Sequence, residues 1–307
     1  VSPGSPRTPR PDDPFVAELL ARCTFPSGST SLTCAVSGGA DSTALLALAS
    51  ATGRPVTAVH VDHGLRPGSE HDAAHVERVA AAWGASFRGE RVALRDGPDL
   101  EQRARDARRA VLPPGTLHGH TADDQAETVL LRLLRGTGPS GLAAMRAATH
   151  PMLALRRTDT RALCAHLGVE PLEDPSNEDP RFVRNRVRHE VLPLLDSVAE
   201  RDVVPLLSRL ASLAAADADL IEQLAGELDP TDAAALAAAP TPVAAAAWRR
   251  WWSTTTGAAH PTDLAATERV LDVAAGRARS CDVADGWRVL RTAGRLRLER
   301  DERRPSG

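Results

Sequence analysis

The chain reads as an α/β protein: a mainly parallel sheet with helices on both faces, followed by a smaller, mostly helical C-terminal domain. Three observations predict this. From residue 31 short β-prone runs alternate with amphipathic helical segments, the pattern of βαβ crossovers. After about residue 200 the alternation stops and alanine-rich helical periodicity takes over. The 307 residues also exceed the ~250 at which one hydrophobic core usually stops growing.

Residues 31–36, with Leu32, Cys34 and Val36, read as a buried strand, and the alanine- and leucine-rich 42–51 as a helix. Residues 56–61, rich in valine, form the next strand and 70–83 the next helix; 86–92 and 100–111 repeat the pair, as do 116–119 and 122–134. A strand over 152–155, a helix over 158–167 closed by Gly168 and a longer helix over 182–195 follow. Helical runs over 203–228, 242–254 and 264–275 make the second domain, and 280–300 alternates around Gly286 and Gly294 as a small hairpin. The low-complexity run 233–247 fits plain helix and carries no functional weight. The expected organisation is a disordered proline-rich arm over 1–13, an α/β domain over 14–200, a mostly helical domain over 201–300 and a tail over 301–307.

All 37 cationic side chains are arginine, and tyrosine is absent too. G+C-rich codon usage explains both absences. Without lysine there is no Walker P-loop, no Schiff-base chemistry and no lysine general base. The net charge of -3 means that nucleic acid would be met by local basic patches. Cys23, Cys34, Cys164 and Cys281 are too scattered for a CxxC motif or a disulfide framework, which suits a reducing, cytoplasmic location. No run of 18 apolar residues and no hydrophobic signal core is present, so no membrane association is expected.

Val36-Ser37-Gly38-Gly39-Ala40-Asp41-Ser42 joins the first strand to the first helix. Glycines let the backbone approach phosphate, and free amides with the helix dipole favour anions. Ser37 and Ser42 can donate hydroxyl hydrogen bonds, whereas Asp41 beside a phosphate would repel it unless a cation intervened, so magnesium ligation is its most economical role. The spelling is neither GxxxxGK[ST] nor GxGxxG. As strand, SGGxDS loop and helix, it resembles the PP-loop ATP pyrophosphatases, of the adenine nucleotide alpha hydrolase-like fold. That resemblance implies ATP cleavage between the α and β phosphates and adenylation of a substrate.

Further motifs narrow the family. His60-Val61-Asp62-His63-Gly64-Leu65-Arg66 ends the second strand on the same sheet edge, where His60 and Asp62 can line a nucleotide pocket or simply cap the strand; zinc is the lesser reading, for want of a fourth ligand in the segment. Glu101, Arg105 and Arg108 share a helix face, as a salt-bridge ladder or as a substrate site. Gly119-His120-Thr121-Ala122-Asp123-Asp124-Gln125-Ala126-Glu127-Thr128 opens a helix, where acids cap the dipole or hold a cation. Arg181, Arg184, Arg186 and Arg188 surround Asn185 in an eight-residue run without an acid, either as a solvated face or as a phosphate or RNA-backbone site.

Together with Arg135-Gly136-Thr137-Gly138-Pro139-Ser140-Gly141-Leu142 and Glu173-Asp174-Pro175-Ser176-Asn177, these segments resemble HxDHGLR, ExxAR, GHHxDDQxET, RGSGxxGL and EDPSNxD...RNxxR of the tRNA(Ile)-lysidine synthetases, a PP-loop branch. The resemblance covers residues 31–195. It departs at Arg109, where the family has tyrosine; at Thr121, which replaces the second histidine; and at Leu172, which replaces a tryptophan.

The resemblance implies ligation of free L-lysine to C2 of the wobble cytidine of isoleucine tRNA with a CAU anticodon. ATP and Mg2+ serve the reaction, and pyrophosphate then AMP are released. It makes Asp41, Asp124, Glu127 and Arg105 catalytic, and places ATP on Ser37, Gly38, Gly39, Ala40, Asp41, Ser42, His60, Asp62 and His120. Asp41 and Asp123 take the metal, and Arg181, Arg184, Asn185, Arg186 and Arg188 contact tRNA or phosphate. The C-terminal domain would bind tRNA; Trp248, Trp251 and Trp252 at i, i+3 and i+4 read as a core stripe before a base-stacking one. Whether the protein forms a homodimer stays open. The competing functions are another PP-loop tRNA-modifying enzyme, such as a thiolase, and a non-catalytic ATP- or RNA-binding module.

Overall fold

A computed structural model describes residues 6–62, 69–92, 107, 110–173, 179–258 and 262–300. The chain divides into two compact units, Val1–Ala214 and Ala215–Gly307.

In the first unit, α1 (Pro14–Ala21) is followed by β1 (Leu32–Ala35), α2 (Ala40–Ala51), β2 (Val56–Asp62), α3 (Ser69–Ala82), β3 (Ser86–Arg91) and β4 (Leu117–His118). The four strands form one parallel sheet in the order β3-β2-β1-β4, with Cys34 opposite both Ala58 and Leu117. Successive strands step outward on one side of β1 and then jump to its other side. The β1/β4 junction is therefore the topological switch point, where the carboxyl ends of an open sheet leave a crevice. Two segments far apart in the chain border that crevice: the loop after β1, and the turn from β4 into α4 (Ala122–Leu134).

Nearly every side chain of α2 from Thr43 to Ala51 is buried, so this helix is apolar all round and belongs to the core. It lies against α6 (Arg157–Leu167), after the short α5 (Pro139–Leu142). Leu45, Leu46, Leu48, Leu117, Met152 and Leu163 fill the space between sheet and helices.

Two expectations change here. No strand forms over 152–155: Pro151, Met152 and Leu155 turn, and their carbonyls accept from Thr24, Leu155 and Ala122 amides instead of from a ladder. Residues 6–13, expected to be disordered, are ordered. The Arg7 amide donates to Leu167 O at 2.8 Å, Trp83 Nε1 donates to Arg7 O at 2.9 Å, and Pro9 is buried. Asp13 caps α1 and meets His166 Nε2 at 2.7 Å.

The helix expected over 182–195 is split into α7 (Val183–Arg186), a π turn (Val187–Val191) and α8 (Leu192–Ala199). Pro193 has no amide and would clash with a carbonyl one turn back, which the wider turn relieves.

The unit boundary falls inside α9 (Val204–Gly226). In the second unit, α10 (Ala233–Ala238), α11 (Thr241–Thr256) and α12 (Leu264–Ala274) pack beside three antiparallel strands: β5 (Ser280–Asp282), β6 (Trp287–Thr292) and β7 (Arg295–Arg300). The expected hairpin thus gains a third strand. Its turns place Asp285, Gly286, Ala293 and Gly294 at positive φ. Trp248 and Trp252 are 0% and 1% exposed, and Trp252 meets Trp287 with ring centroids 6.3 Å apart. The core reading of the tryptophan stripe therefore holds for these two, with Trp251 packed partly buried beside them. Among the described residues, no helix is long and apolar enough to cross a membrane.

Candidate active site

The loop after β1 is tied into a fixed curl by one hydroxyl. Ser42 Oγ accepts from the amides of Ser37 at 3.1 Å and Gly38 at 3.2 Å while donating to Gly39 O at 3.0 Å. Gly38 has φ +94°, and a Cβ there would stand 2.5 Å from Leu172 Cδ1. The Leu172 amide donates to Gly38 O at 2.9 Å, so this residue closes over the loop as an apolar cover. The second glycine that matters is Gly119, after β4. A Cβ on it would lie 2.6 Å from Asp41 O, so only glycine allows the two crevice walls to approach this closely.

His60 is buried, and its Nδ1 lies 2.9 Å from Val36 O. A carbonyl only accepts, so Nδ1 carries the proton and braces the base of the loop. Asp62 ends β2, 3.8 Å from Arg91 Nε. His120 forms a group with His118 and His150 whose ring centroids are 4.9 to 5.9 Å apart. Burial pushes His120 down to about 3, so its ring is neutral, and its Nδ1 is buried without a hydrogen-bond partner.

Four carboxylates converge beside the loop and α4, and arginines from two other segments reach them. Asp41 Oδ1 accepts from Thr160 Oγ1 at 2.5 Å, and its Oδ2 is 3.8 Å from Arg157 Nε. Burial, together with the neighbouring Asp124 and Asp123 charges, pushes the Asp41 carboxyl up against the pull of Thr160 and Arg157. Asp123 receives both Arg156 Nε (3.1 Å) and Nη2 (3.0 Å), as well as the Arg157 amide at 2.9 Å. Arg156 also reaches Asp202.

Asp124 serves two purposes with separate oxygens. Its Oδ2 closes a capping box with the Thr121 amide and hydroxyl, at 2.9 and 3.1 Å. Its Oδ1 accepts from Arg157 Nη2 at 2.6 Å and Arg184 Nη2 at 2.9 Å. Glu127 is 0% exposed and takes Arg157 Nη1 at 2.8 Å, Arg184 Nε at 2.6 Å and Arg188 Nε at 2.7 Å. Burial opposes ionisation of both carboxyls, yet the arginines outweigh it and hold both below their ordinary values.

The structure therefore brings together Ser37 to Ser42, His120, Asp123, Asp124, Glu127, Arg184 and Arg188. Arg181 and Arg186 point elsewhere: Arg181 pairs with Asp179 and Arg186 with Glu190, both in the open. Asn185 Nδ2 donates to Asp179 O at 2.9 Å, a structural bond. Arg105 and His63 to Arg66 lie outside the described residues. Arg156, Arg157 and Thr160 were not foreseen. A signal did exist: two arginines at the start of a helix oppose its dipole, which marks them as serving another partner.

Among the described residues, no three His, Cys, Asp or Glu side chains form a ready metal cage. Magnesium, which usually takes one or two carboxylates plus phosphate oxygens and water, does not need one. Asp41 fits, being at the loop with its charge disfavoured by burial and like charges; Asp123 would first have to release Arg156.

A PP-loop domain family profile matches residues 14–195. The tRNA(Ile)-lysidine synthase of Nocardia farcinica is 40% identical, over 92% of this chain and 96% of the relative. That of Salinispora tropica is 39% identical over 85% and 88% respectively. Among solved structures, the U34-tRNA thiolase NcsA of Methanococcus maripaludis superposes with a TM-score of 0.50 at 14% identity, over 66% of this chain and 81% of that one, a likeness of fold. The phosphate loop, the acid-bearing helix and these full-length similarities place the chain in the PP-loop family, among the tRNA(Ile)-lysidine synthases.

Proposed function

We propose that the crevice between β1 and β4 is where this enzyme adenylates the wobble cytidine of a CAU-anticodon isoleucine tRNA and joins free L-lysine to it. The observation that carries the reading is the meeting, at Asp41, of an anion-binding loop with an acidic cluster. That meeting supports adjoining sites for ATP phosphates and, once the arginines on the acids give way, for a cationic amine.

The cytidine C2 carbonyl is a poor electrophile with no leaving group. Its oxygen attacks the α phosphorus of ATP and pyrophosphate leaves; lysine's ε-amine then attacks C2, and AMP departs with the oxygen. Ser37 to Ser42 would grip the phosphates, with neutral His120, His60 and Asp62 bordering the nucleotide. Mg2+ on Asp41 would offset phosphate charge in the transition state. Asp124 and Glu127, held ionised, suit binding of lysine's ammonium rather than its deprotonation. The amine's ordinary pKa of ~10.4 therefore calls for a phosphate oxygen or another carboxylate as proton acceptor. Arg184 and Arg188 lie where they can turn to phosphate, while exposed Arg181 and Arg186 suit the RNA backbone. Arg105 is assigned to the substrate site from its motif, and the C-terminal unit to tRNA contact.

The thiolase alternative finds no support in the thiols. Burial pushes Cys23, Cys34 and Cys164 up to about 12, so none offers a thiolate at neutral pH. The test is incubation of the full chain with ATP, Mg2+, labelled lysine and the CAU-anticodon tRNA. Label should enter the tRNA in step with pyrophosphate release; active nucleotide cleavage without label transfer would exclude the ligase reading.

A further inference from the structure

We propose that Arg184 and Arg188 make lysine binding conditional on a bound phosphate group, by covering the acid pair until a polyanion draws them off. The inference rests on the reading that Asp124 and Glu127 receive lysine's ammonium.

In the structure that pair is already fully engaged. Glu127 accepts from Arg157, Arg184 and Arg188, and the Asp124 oxygen not used in capping accepts from Arg157 and Arg184. The carboxylates Asp41, Asp123, Asp124 and Glu127 face the guanidinium groups of Arg156, Arg157, Arg184 and Arg188, and Arg156 is shared with Asp202. An arriving ammonium would meet no free lone pair on Asp124 or Glu127.

The two pairs of arginines are not equivalent. Arg156 and Arg157 start α6, which lies on the core helix α2, and the Arg157 amide is itself bonded to Asp123. They are fixed to the scaffold. Arg184 instead sits in the one-turn α7 and Arg188 inside the π turn that follows it. Arg184 also lines an open groove of about 350 Å3 with Arg135, Arg181 and Phe182, giving it a route towards solvent. A guanidinium exchanges a carboxylate for a phosphate without losing its forked hydrogen bonds, because both anions match its geometry.

When phosphate takes Arg184 and Arg188, two positive charges leave and Arg157 alone remains between Asp41, Asp124 and Glu127. Buried carboxylates left with that deficit need a cation, and lysine's ammonium supplies it. Linkage then requires reciprocity: whatever factor the anion adds to lysine affinity, lysine adds to anion affinity. The phosphate could belong to ATP or to the tRNA backbone, and the experiment separates the two.

Lysine binding to the full chain is measured by calorimetry alone, with a non-hydrolysable α,β-methylene ATP plus Mg2+, and with CAU-anticodon isoleucine tRNA. One or both additions should tighten lysine binding about tenfold, within the usual range of coupling between sites. Arg184→Gln/Arg188→Gln should bind lysine more tightly than wild type without any anion and show less than about twofold coupling. Equal lysine affinity of wild type in all three conditions, or unchanged coupling in the double variant, overturns the proposal. The wild-type comparison decides the matter even if the variant does not fold. Asp124→Asn/Glu127→Gln distinguishes the two levels: lysine binding that survives it refutes the acid-pair reading itself, whatever the anion does.

Discussion

Glu127 is the most demanding test of how the site is held together. It is fully buried and pairs with three arginines. Glu127→Gln keeps its shape and removes its charge, leaving those guanidinium groups in excess. Removing one partner of a buried ion pair costs about 3 to 5 kcal/mol. Because the arginine side chains retain 20 to 24% exposure, water compensates part of this, and the lower end, ~3 kcal/mol, is expected. The sign with pH follows from the Glu127 carboxyl lying below its ordinary value of 4.5. Its contribution is complete above that value and is lost as the pH falls through the folded-state pKa, so the variant and wild type should converge in acid. Native-state hydrogen exchange on α4 peptides reads the N-terminal unit by itself. Opening there should become easier by about two powers of ten at neutral pH. A change of less than tenfold would refute the claim that this carboxylate anchors the arginines. Glu190→Gln, which breaks an exposed pair with Arg186, should leave the same peptides unchanged.

Asp41→Asn should abolish pyrophosphate release while sparing tRNA binding; a fully active variant would remove Asp41 from metal binding. Because burial raises the Asp41 carboxyl, its ionised form is gained only as pH climbs through a value above the ordinary 3.8. With Mg2+ kept sub-saturating, so that metal binding does not mask the carboxyl's own titration, ATP cleavage by wild type should therefore decline on the acid side at a pH above that figure, and a rate flat across this range would contradict the assignment. Gly119→Ala forces a methyl against Asp41 O and should lower the rate of ATP cleavage by about tenfold to a hundredfold with the chain still folded, measured as single-turnover pyrophosphate release. Trp252→Ala should cost ~3 to 5 kcal/mol, read as faster exchange in α11 and α12 while α4 stays protected.

The sheet, the phosphate loop and the acidic helix were legible because each rests on local rules: alternation for β1 to β3, glycine spacing for the loop, capping for Thr121 and Asp124. What escaped was set by distant packing. Arg156 and Arg157 belong to no motif in the sequence, and only the fold, by carrying α6 onto α2, points them at carboxylates some 30 residues earlier in the chain. The eight-residue arginine run looked like one unit, yet the helical and π-turn geometry sends Arg184 and Arg188 inward and Arg181 and Arg186 outward. Residues 152–155 had the composition of a strand, but β4 lies at the sheet edge, and the Met152 and Leu155 carbonyls serve the Leu155 and Ala122 amides instead. Proline suggested disorder over the arm, whereas Trp83 and Leu167 supplied the partners that order residues 6–13.

The central claim is that one crevice couples ATP cleavage to attachment of lysine to tRNA. The most direct measurement mixes enzyme, Mg2+, γ-labelled ATP, CAU-anticodon isoleucine tRNA and labelled lysine, and counts both products. One labelled lysine should enter the tRNA for each pyrophosphate released, with neither product appearing when tRNA is omitted. Pyrophosphate released at the same rate without tRNA, or tRNA left without lysine while ATP is consumed, would contradict it.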